Sequence, residues 1–267
     1  MHIFNRGNKY MIIQDIKDIE LTGWMVFLYS ESGVGKTAST LISAPDPIIH
    51  LPIEPRSLKP TLDVVREVRP DLKYKRVIPE KFEELYEFLS DFDSKLINGA
   101  RTIFVDSYTH VMNIFLAGEI EDEAFEARTD EEKRKKSLVN QTKMSQEGYG
   151  GLSSHMFRLT TLLGKWSQRG KVVVCTALLQ ENPKWNRTLA AAPALKGKEF
   201  PTSMKGYFDL IGLVTNRTNS DGQLIYPPWV QFESPEDDFV AKYTGKKKNG
   251  KPAAGPLDLS KILRVKQ

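Results

Sequence analysis

Apolar residues along this chain alternate between short continuous runs and longer periodic stretches, a pattern that predicts buried strands separated by helices. Residues 24–29 (W-M-V-F-L-Y) are an apolar run of strand length, as expected where a sheet is covered on both faces. Beyond a small, polar, glycine-bearing loop, Ala38, Leu41 and Ile42 fit one face of a helix opening at Lys36-Thr37. Residues 48–53 predict a second strand whose flanking prolines mark its ends. A helix is expected over 57–68, then a turn at Arg69-Pro70-Asp71. Over 79–96, Phe82, Leu85, Leu89, Phe92 and Leu96 recur at helical spacing, and Asn98-Gly99 closes that helix. A strand starting at Arg101 ends in Asp106, and the glycines of 148–151 predict a break before an amphipathic helix over 152–168. Its Met156, Leu159, Leu162, Leu163 and Trp166 point inward. Further strands are expected at 171–179 and 207–215, with 224–232 returning as a hairpin, and a short lead-in strand at 11–14.

Alternating strands and helices define an α/β fold class with a mostly parallel sheet flanked by helices, a C-terminal β-hairpin and a flexible tail. A chain of 267 residues accommodates one such domain with an insertion. The organisation expected is a lead-in at 1–20, a core domain at 21–235 and a basic tail at 236–267. Within the core, 119–147 reads as a charged helical insertion and 181–206 as a mobile loop. The charge run is a solvated helix or a nucleic-acid contact. A net charge of +4 permits a nucleic-acid partner without requiring one. The single cysteine, Cys175, rules out an internal disulfide and sits in an apolar strand. No apolar run reaches the roughly 18 residues of a membrane span, and the N-terminus lacks the apolar region of a signal peptide. A cytoplasmic protein with no membrane partner is therefore expected.

The loop between the first core strand and its helix carries the chemistry. Ser30-Glu31-Ser32-Gly33-Val34-Gly35-Lys36-Thr37, followed by Ala38, matches the phosphate-loop pattern in the strand–loop–helix context that gives the pattern meaning. Successive backbone N–H groups at a helix N-terminus can wrap a polyphosphate, and Gly33 and Gly35 allow close approach and positive φ. Lys36 would lie between the β- and γ-phosphates of ATP, and the Thr37 hydroxyl would ligate Mg²⁺. The pattern places glycine where this chain has Ser30, a small residue and so a tolerable replacement. Asp106, delivered by an apolar strand, is the second expected metal ligand, the alternative being a cap on the following helix. Glu54 and Gln180 stand just past strand ends, the edge where open parallel sheets bind ligands. Gln180 is a candidate sensor of the γ-phosphate.

These features taken together (Y-S-E-S-G-V-G-K-T, a strand ending in Glu54, I-F-V-D-S, G-Y-G-G, P-A-L-K-G-K and Y-F-D-L-I) resemble phage-encoded RecA-like P-loop ATPases of the Sak type, which are linked to single-strand annealing and recombination. The similarity spans residues 23–215. It implies a RecA-like P-loop NTPase core with the Asp106 strand next to the Lys36 strand. It implies ATP with Mg²⁺, and ring or filament homo-oligomers on single-stranded DNA in the host cytoplasm, with a phage single-strand-binding protein as a candidate partner. It also makes Glu54 the residue that polarises the attacking water, a role its placement at a strand edge suits. The segment after the sensing strand becomes the DNA loop, where Lys184 and Arg187 would neutralise phosphates and Trp185 would stack on a base. Alternatively, Trp185 packs back onto the core. Lys246, Lys247 and Lys248 are further DNA candidates. Lys196 and Lys198 would act in trans as cationic fingers.

The leading expectation is an ATPase acting on single-stranded DNA. A packaging or helicase-loading motor and a nucleotide-gated adaptor without productive hydrolysis are the alternatives. The stretch 215–221 lacks the spacing of a guanine-recognition motif, and His2, His50, His110 and His155 are scattered rather than spaced as metal ligands.

Overall fold

The computed structural model describes residues 2–6, 9–13, 23–118, 120, 146–244 and 253–264. Most of the charged 119–147 segment, and Lys246, Lys247 and Lys248, lie outside the described residues. The polar N-terminus contains more order than its composition predicts. Strands β1 (His2–Arg6) and β2 (Lys9–Ile13) pair antiparallel, with Arg6 opposite Lys9.

The core sheet begins with β3 (Trp24–Ser30) and runs through β4 (Ile48–Pro52), β5 (Tyr74–Arg76), β6 (Thr102–Asp106), β7 (Val172–Glu181) and β9 (Leu210–Thr218), all parallel. A short β8 (Ala191–Pro193) pairs antiparallel with the end of β7. Strands β10 (Leu224–Gln231), β11 (Lys242–Tyr243) and β12 (Ala254–Pro256) complete the far edge antiparallel. The spatial order is β12-β10-β9-β3-β7-β6-β4-β5.

This order corrects one expectation. Strand β7 lies between β3 and β6, hydrogen-bonded to both, so the Asp106 strand is not the immediate neighbour of the Lys36 strand. The continuous Val172–Cys175 run fits the most buried position in the sheet, where neither face nor edge meets water.

Alternate residues of β3 feed two cores. Met25, Phe27 and Tyr29 join one cluster, while Val26 and Leu28 join the other. Helices α1 (Lys36–Ser43) and α2 (Lys59–Val68) contribute Leu41 and Val65 to the second cluster. Helix α3 (Phe82–Ser90), the short α4 (Lys95–Gly99) and the helical turns after Ser107, α5 (Tyr108–His110) with a π-helical stretch over Val111–Leu116, belong to the first. So does α6 (Gln146–Gln168), whose Met156, Leu159, Leu162, Leu163 and Trp166 are all buried as the periodicity predicts.

Four elements depart from the sequence pattern, each for an identifiable reason. The helix expected over 79–96 is two helices, because Asp91 leaves the helical conformation (ψ 83°) and Ser94 caps α4 by accepting from the Ile97 N–H. Phe92 then turns onto Trp166 at 5.0 Å, under the Arg169 guanidinium, and Leu96 is left 41% exposed. The glycines of 148–151 do not break the chain but lie inside α6. Glycine costs a helix about 1 kcal/mol per residue, which the buried stripe from Leu152 to Trp166 outweighs.

Residues 181–206 are not a structureless loop. They contain β8, α7 (Glu199–Ser203) and a 3₁₀ turn over Met204–Gly206, anchored by buried Leu189, Leu195, Phe200 and Met204. The end of the chain is likewise built in. Strand β12 pairs with β10, and α8 (Leu259–Leu263) buries Leu259 and Leu263 beside α1, where the Leu259 N–H donates to Ser43 Oγ at 2.9 Å.

Candidate functional site

The parallel strands β3, β7, β6 and β4 bring their C-terminal ends to one edge, and the chemistry collects there. The loop from Ser30 to Gly35 joins β3 to α1, with Gly33 at φ 83° and Gly35 at φ 99°. Both values lie in the left-handed region that favours glycine, so the loop's shape depends on these two residues. Tyr226, 48% exposed on β10, packs against Gly35 and accepts a hydrogen bond from Ser39 Oγ at 3.0 Å. The C-terminal hairpin thereby buttresses the loop from outside.

Lys36 curls back over this loop. Its Nζ donates to Ser30 O at 3.1 Å, Ser30 Oγ at 2.6 Å and Glu31 O at 3.0 Å. Ser30, fully buried, thus uses its hydroxyl as an acceptor that glycine would not supply. Burial pulls the Lys36 ammonium down from its ordinary value to about 8. The Asp106 and Glu54 carboxylates oppose that shift, and the Arg56 guanidinium adds to it.

Asp106, 1% exposed, is held from three sides. Thr37 Oγ1 donates to Oδ2 at 2.7 Å, Thr176 Oγ1 donates to Oδ1, and His50 Nε2 lies 3.5 Å from Oδ2. Burial alone would raise its pKa, but the His50, Thr176 and Thr37 contacts outweigh that and hold it below the usual carboxylate value. His50 is itself fixed by stacking on Phe104 at 4.6 Å and by Nδ1 to Tyr74 Oη at 2.9 Å. The helix after Asp106 is capped at Ser107, not by Asp106.

Glu54 occupies the rim. It follows β4, its side chain is 9% exposed, its Oε2 meets Arg56 Nε, and its Oε1 lies 3.6 Å from His110 Nδ1. His110 is oriented in turn by Ser107 Oγ at 2.7 Å. One cleft is lined by Ser32, Gly33, Gly35, Lys36, Thr37 and Ala38 on the loop side, with Glu54, Arg56 and Thr61 facing them. The Thr37 hydroxyl, which lines the cleft, and the Asp106 carboxylate bonded behind it form an all-oxygen donor pair that would suit Mg²⁺.

The match to the family model of the AAA domain covers residues 22–246. This chain belongs to the AAA domain family. It is accordingly a P-loop ATPase domain, of a kind that generally takes ATP and Mg²⁺. Among solved structures the AAA domain described here is similar to the KaiC-like protein PH0186 from the hyperthermophilic archaeon Pyrococcus horikoshii OT3. That distant likeness has 14% identity over 79% of each chain and a TM-score of 0.39. No curated protein matches the chain.

The remaining residues singled out in the sequence lie around this cleft. The Val34 side chain turns into the core and the Glu31 side chain is exposed, so neither side chain lines the cleft, and the Glu31 carbonyl accepts from Lys36. Leu178 rather than Gln180 lines the cleft, because Gln180 sits two residues further along β7, opposite Ala192. Lys184 and Arg187 are exposed on the segment after β7, while Trp185 is half-buried against the core with its Nε1 buried and unpartnered. Lys196 is half-buried and Lys198 exposed, flanking Gly197 where the chain passes Tyr149 and Ser153 of α6.

Sequence reading missed Arg56, His110 and the role of His50. The available signals were a histidine inside the apolar run I-I-H-L-P and an arginine two residues after a strand-edge glutamate. The parallel register places Pro52 beside Asp106 and His50 beside Phe104, which puts both signals next to the carboxylate.

Proposed function

We propose that this AAA domain binds and hydrolyses ATP and couples that cycle to single-stranded DNA, in phage recombination, annealing or replication within the host cytoplasm. The observation that carries the reading is that Lys36, Thr37 and Glu54 line one cleft together with the amide loop, with Asp106 hydrogen-bonded to Thr37 behind it. The loop's N–H groups and the Lys36 ammonium bind and orient the phosphate chain. Lys36 exchanges its carbonyl partners at Ser30 and Glu31 for phosphate oxygens. Mg²⁺, when bound at Thr37 and Asp106, supplies charge neutralisation on the phosphate oxygens. Glu54, at the rim, accepts a proton from the attacking water, and Gln180, two residues past Leu178 within β7, reads the terminal phosphate.

Exposed Lys184 and Arg187, on the sheet edge that carries the cleft, suit a phosphate backbone, with Trp185 beside them. Lys196 and Lys198 reach a neighbouring subunit's nucleotide in a ring or filament, and a phage single-strand-binding protein is a partner. Steady-state ATP hydrolysis with and without single-stranded DNA, alongside particle size, tests the proposal. Single strands should raise the rate more than duplex does. Equal or preferential stimulation by duplex would replace this reading with a motor on double-stranded DNA. Binding without turnover under every condition would replace it with a nucleotide-gated adaptor.

A further inference from the structure

Resting on that reading of the phosphate cleft, we infer that Arg56 is a catalytic residue in cis: its guanidinium latches Glu54 while the cleft is empty and transfers to the terminal phosphate of the nucleotide. The inference starts from position. Arg56 lies in the turn after β4, two residues beyond Glu54, and lines the same cleft as Lys36 and Thr37 from the opposite wall. Its Nε meets Glu54 Oε2, yet its own side chain remains 47% exposed while that of Glu54 is 9% exposed. A guanidinium so placed keeps free N–H donors directed at solvent in the cleft, where a phosphate oxygen would lie.

The electrostatics point the same way. Arg56 and Lys36 face one another closely enough that the guanidinium helps depress the lysine's pKa. Two cations repelling across an open cleft are relieved by an anion between them, and a triphosphate is such an anion. The latch itself is weak. A half-exposed ion pair is screened by solvent and contributes little, whereas a guanidinium fork matches phosphate geometry with two parallel hydrogen bonds. The arriving terminal phosphate therefore outcompetes Glu54 for Arg56.

The exchange has a direct chemical consequence. With Arg56 on Oε2 and His110 near Oε1, the Glu54 carboxylate is neutralised and poorly placed to take a proton. Once Arg56 moves to the phosphate, Oε2 is free. Water oxygen then bonds to the γ-phosphorus as the bond from that phosphorus to the β,γ-bridging oxygen breaks. Glu54 takes the water proton and later returns it to solvent, ADP leaves with the bond's electron pair, and Arg56 stabilises charge on the departing phosphate. Hydrolysis is thus licensed by the terminal phosphate. ADP, which lacks that group, leaves the latch closed.

The decisive measurements are nucleotide affinities by calorimetry and single-turnover hydrolysis for the full chain and for Arg56→Ala and Arg56→Lys. In the unaltered protein a non-hydrolysable ATP analogue should bind more tightly than ADP. Arg56→Ala should lose about tenfold of that preference, leave ADP affinity within about twofold, and slow the chemical step ~10- to 100-fold, below the range of a full arginine finger because the side chain is half-exposed. Arg56→Lys should recover part of the rate, which a merely structural arginine would not require, and both variants should melt like the parent. An unchanged analogue-to-ADP ratio, an unchanged rate, or equal weakening of both nucleotides would overturn the inference. Failure of the unaltered protein to bind any nucleotide would remove the phosphate-loop reading and this one together.

Discussion

The two carboxylates of the cleft are held in opposite ways. Asp106 lies behind Thr37, 1% exposed, with Thr37 and Thr176 hydroxyls donating to it and His50 alongside. Glu54 lies at the rim, paired with a half-exposed arginine and a histidine at 3.6 Å. A buried carboxylate that accepts from two buried hydroxyls is held rigidly, and its removal orphans its donors. A rim carboxylate in a solvent-screened pair is cheap to release. The difference separates a fixed anchor, suited to holding a metal's charge, from a movable base whose partner can be exchanged.

The largest effect expected from that contrast is on substitution of the anchor. Asp106→Ala should abolish measurable hydrolysis, about a thousandfold or more, and destabilise the fold by about 1–3 kcal/mol as Thr37 and Thr176 lose their acceptor. Glu54→Gln should slow hydrolysis ~10²–10⁴-fold while leaving stability within about 0.5 kcal/mol and nucleotide binding intact. Denaturant melts beside single-turnover rates check both. Equal destabilisation by the two substitutions would erase the distinction between anchor and movable base.

The anchor should also be visible in acid. Because the Asp106 pKa is lowered in the folded state, its contribution is present above the unfolded value near 3.8 and is lost as pH falls below it. Unfolding free energies measured between pH 2.5 and 6 should show an acid-dependent loss that is smaller in Asp106→Asn.

Much of this architecture is written in the apolar pattern, and what is not follows a rule. The runs at 24–29, 48–53 and 171–179 predict strands because both faces are buried, so periodicity and context agree. The phosphate loop is legible because its backbone shape requires glycine at Gly33 and Gly35. Helix 79–96 and the 148–151 glycines mislead for complementary reasons. In the first, side-chain caps at Asp91 and Ser94 override a good apolar period. In the second, tertiary burial of α6 overrides poor propensity. Residues 181–206 read as loop because their anchors Leu189, Leu195, Phe200 and Met204 recur at no single period, although all four join one core cluster. The Glu54–Arg56–His110 cluster joins two strand ends through a parallel register that no local pattern encodes.

Lys36 sits between anchor and rim, and a smaller effect reports on it. Its folded pKa of about 8 lies below the 10.5 of the unfolded chain, so the unfolded state binds more protons between those values and stability should rise with pH across them. The rise attributable to Lys36 is of order 1–3 kcal/mol, read as the difference between the protein and Lys36→Met from pH 7.5 to 10 so that tyrosine titration cancels. Polyphosphate restores the charge, so ATP binding at pH 8–9 should take up protons. Calorimetry in buffers of different ionisation enthalpy detects that uptake, and Lys36→Met should lack it. Proton release, or none, would show that the ammonium is not what meets the phosphates.

The smallest effect tests the departure from the phosphate-loop pattern. Ser30 replaces a glycine, and its buried hydroxyl accepts the shortest of the three hydrogen bonds made by Lys36 Nζ, at 2.6 Å. That bond exists while the cleft is empty, so it stabilises the empty state and must be given up when phosphate arrives. Ser30→Gly should therefore lower the stability of the free protein by about 1 kcal/mol, the loss of one hydrogen bond to a charged donor offset by the remaining two carbonyls. The same change should tighten ATP binding about twofold to fivefold, since Lys36 leaves fewer partners behind. Stability and affinity moving in opposite directions would mark the serine as a restraint on the empty loop. Loss of both would mean that the hydroxyl shapes the amide cup itself, and that the lysine's resting contacts play no part in how tightly the cleft holds nucleotide.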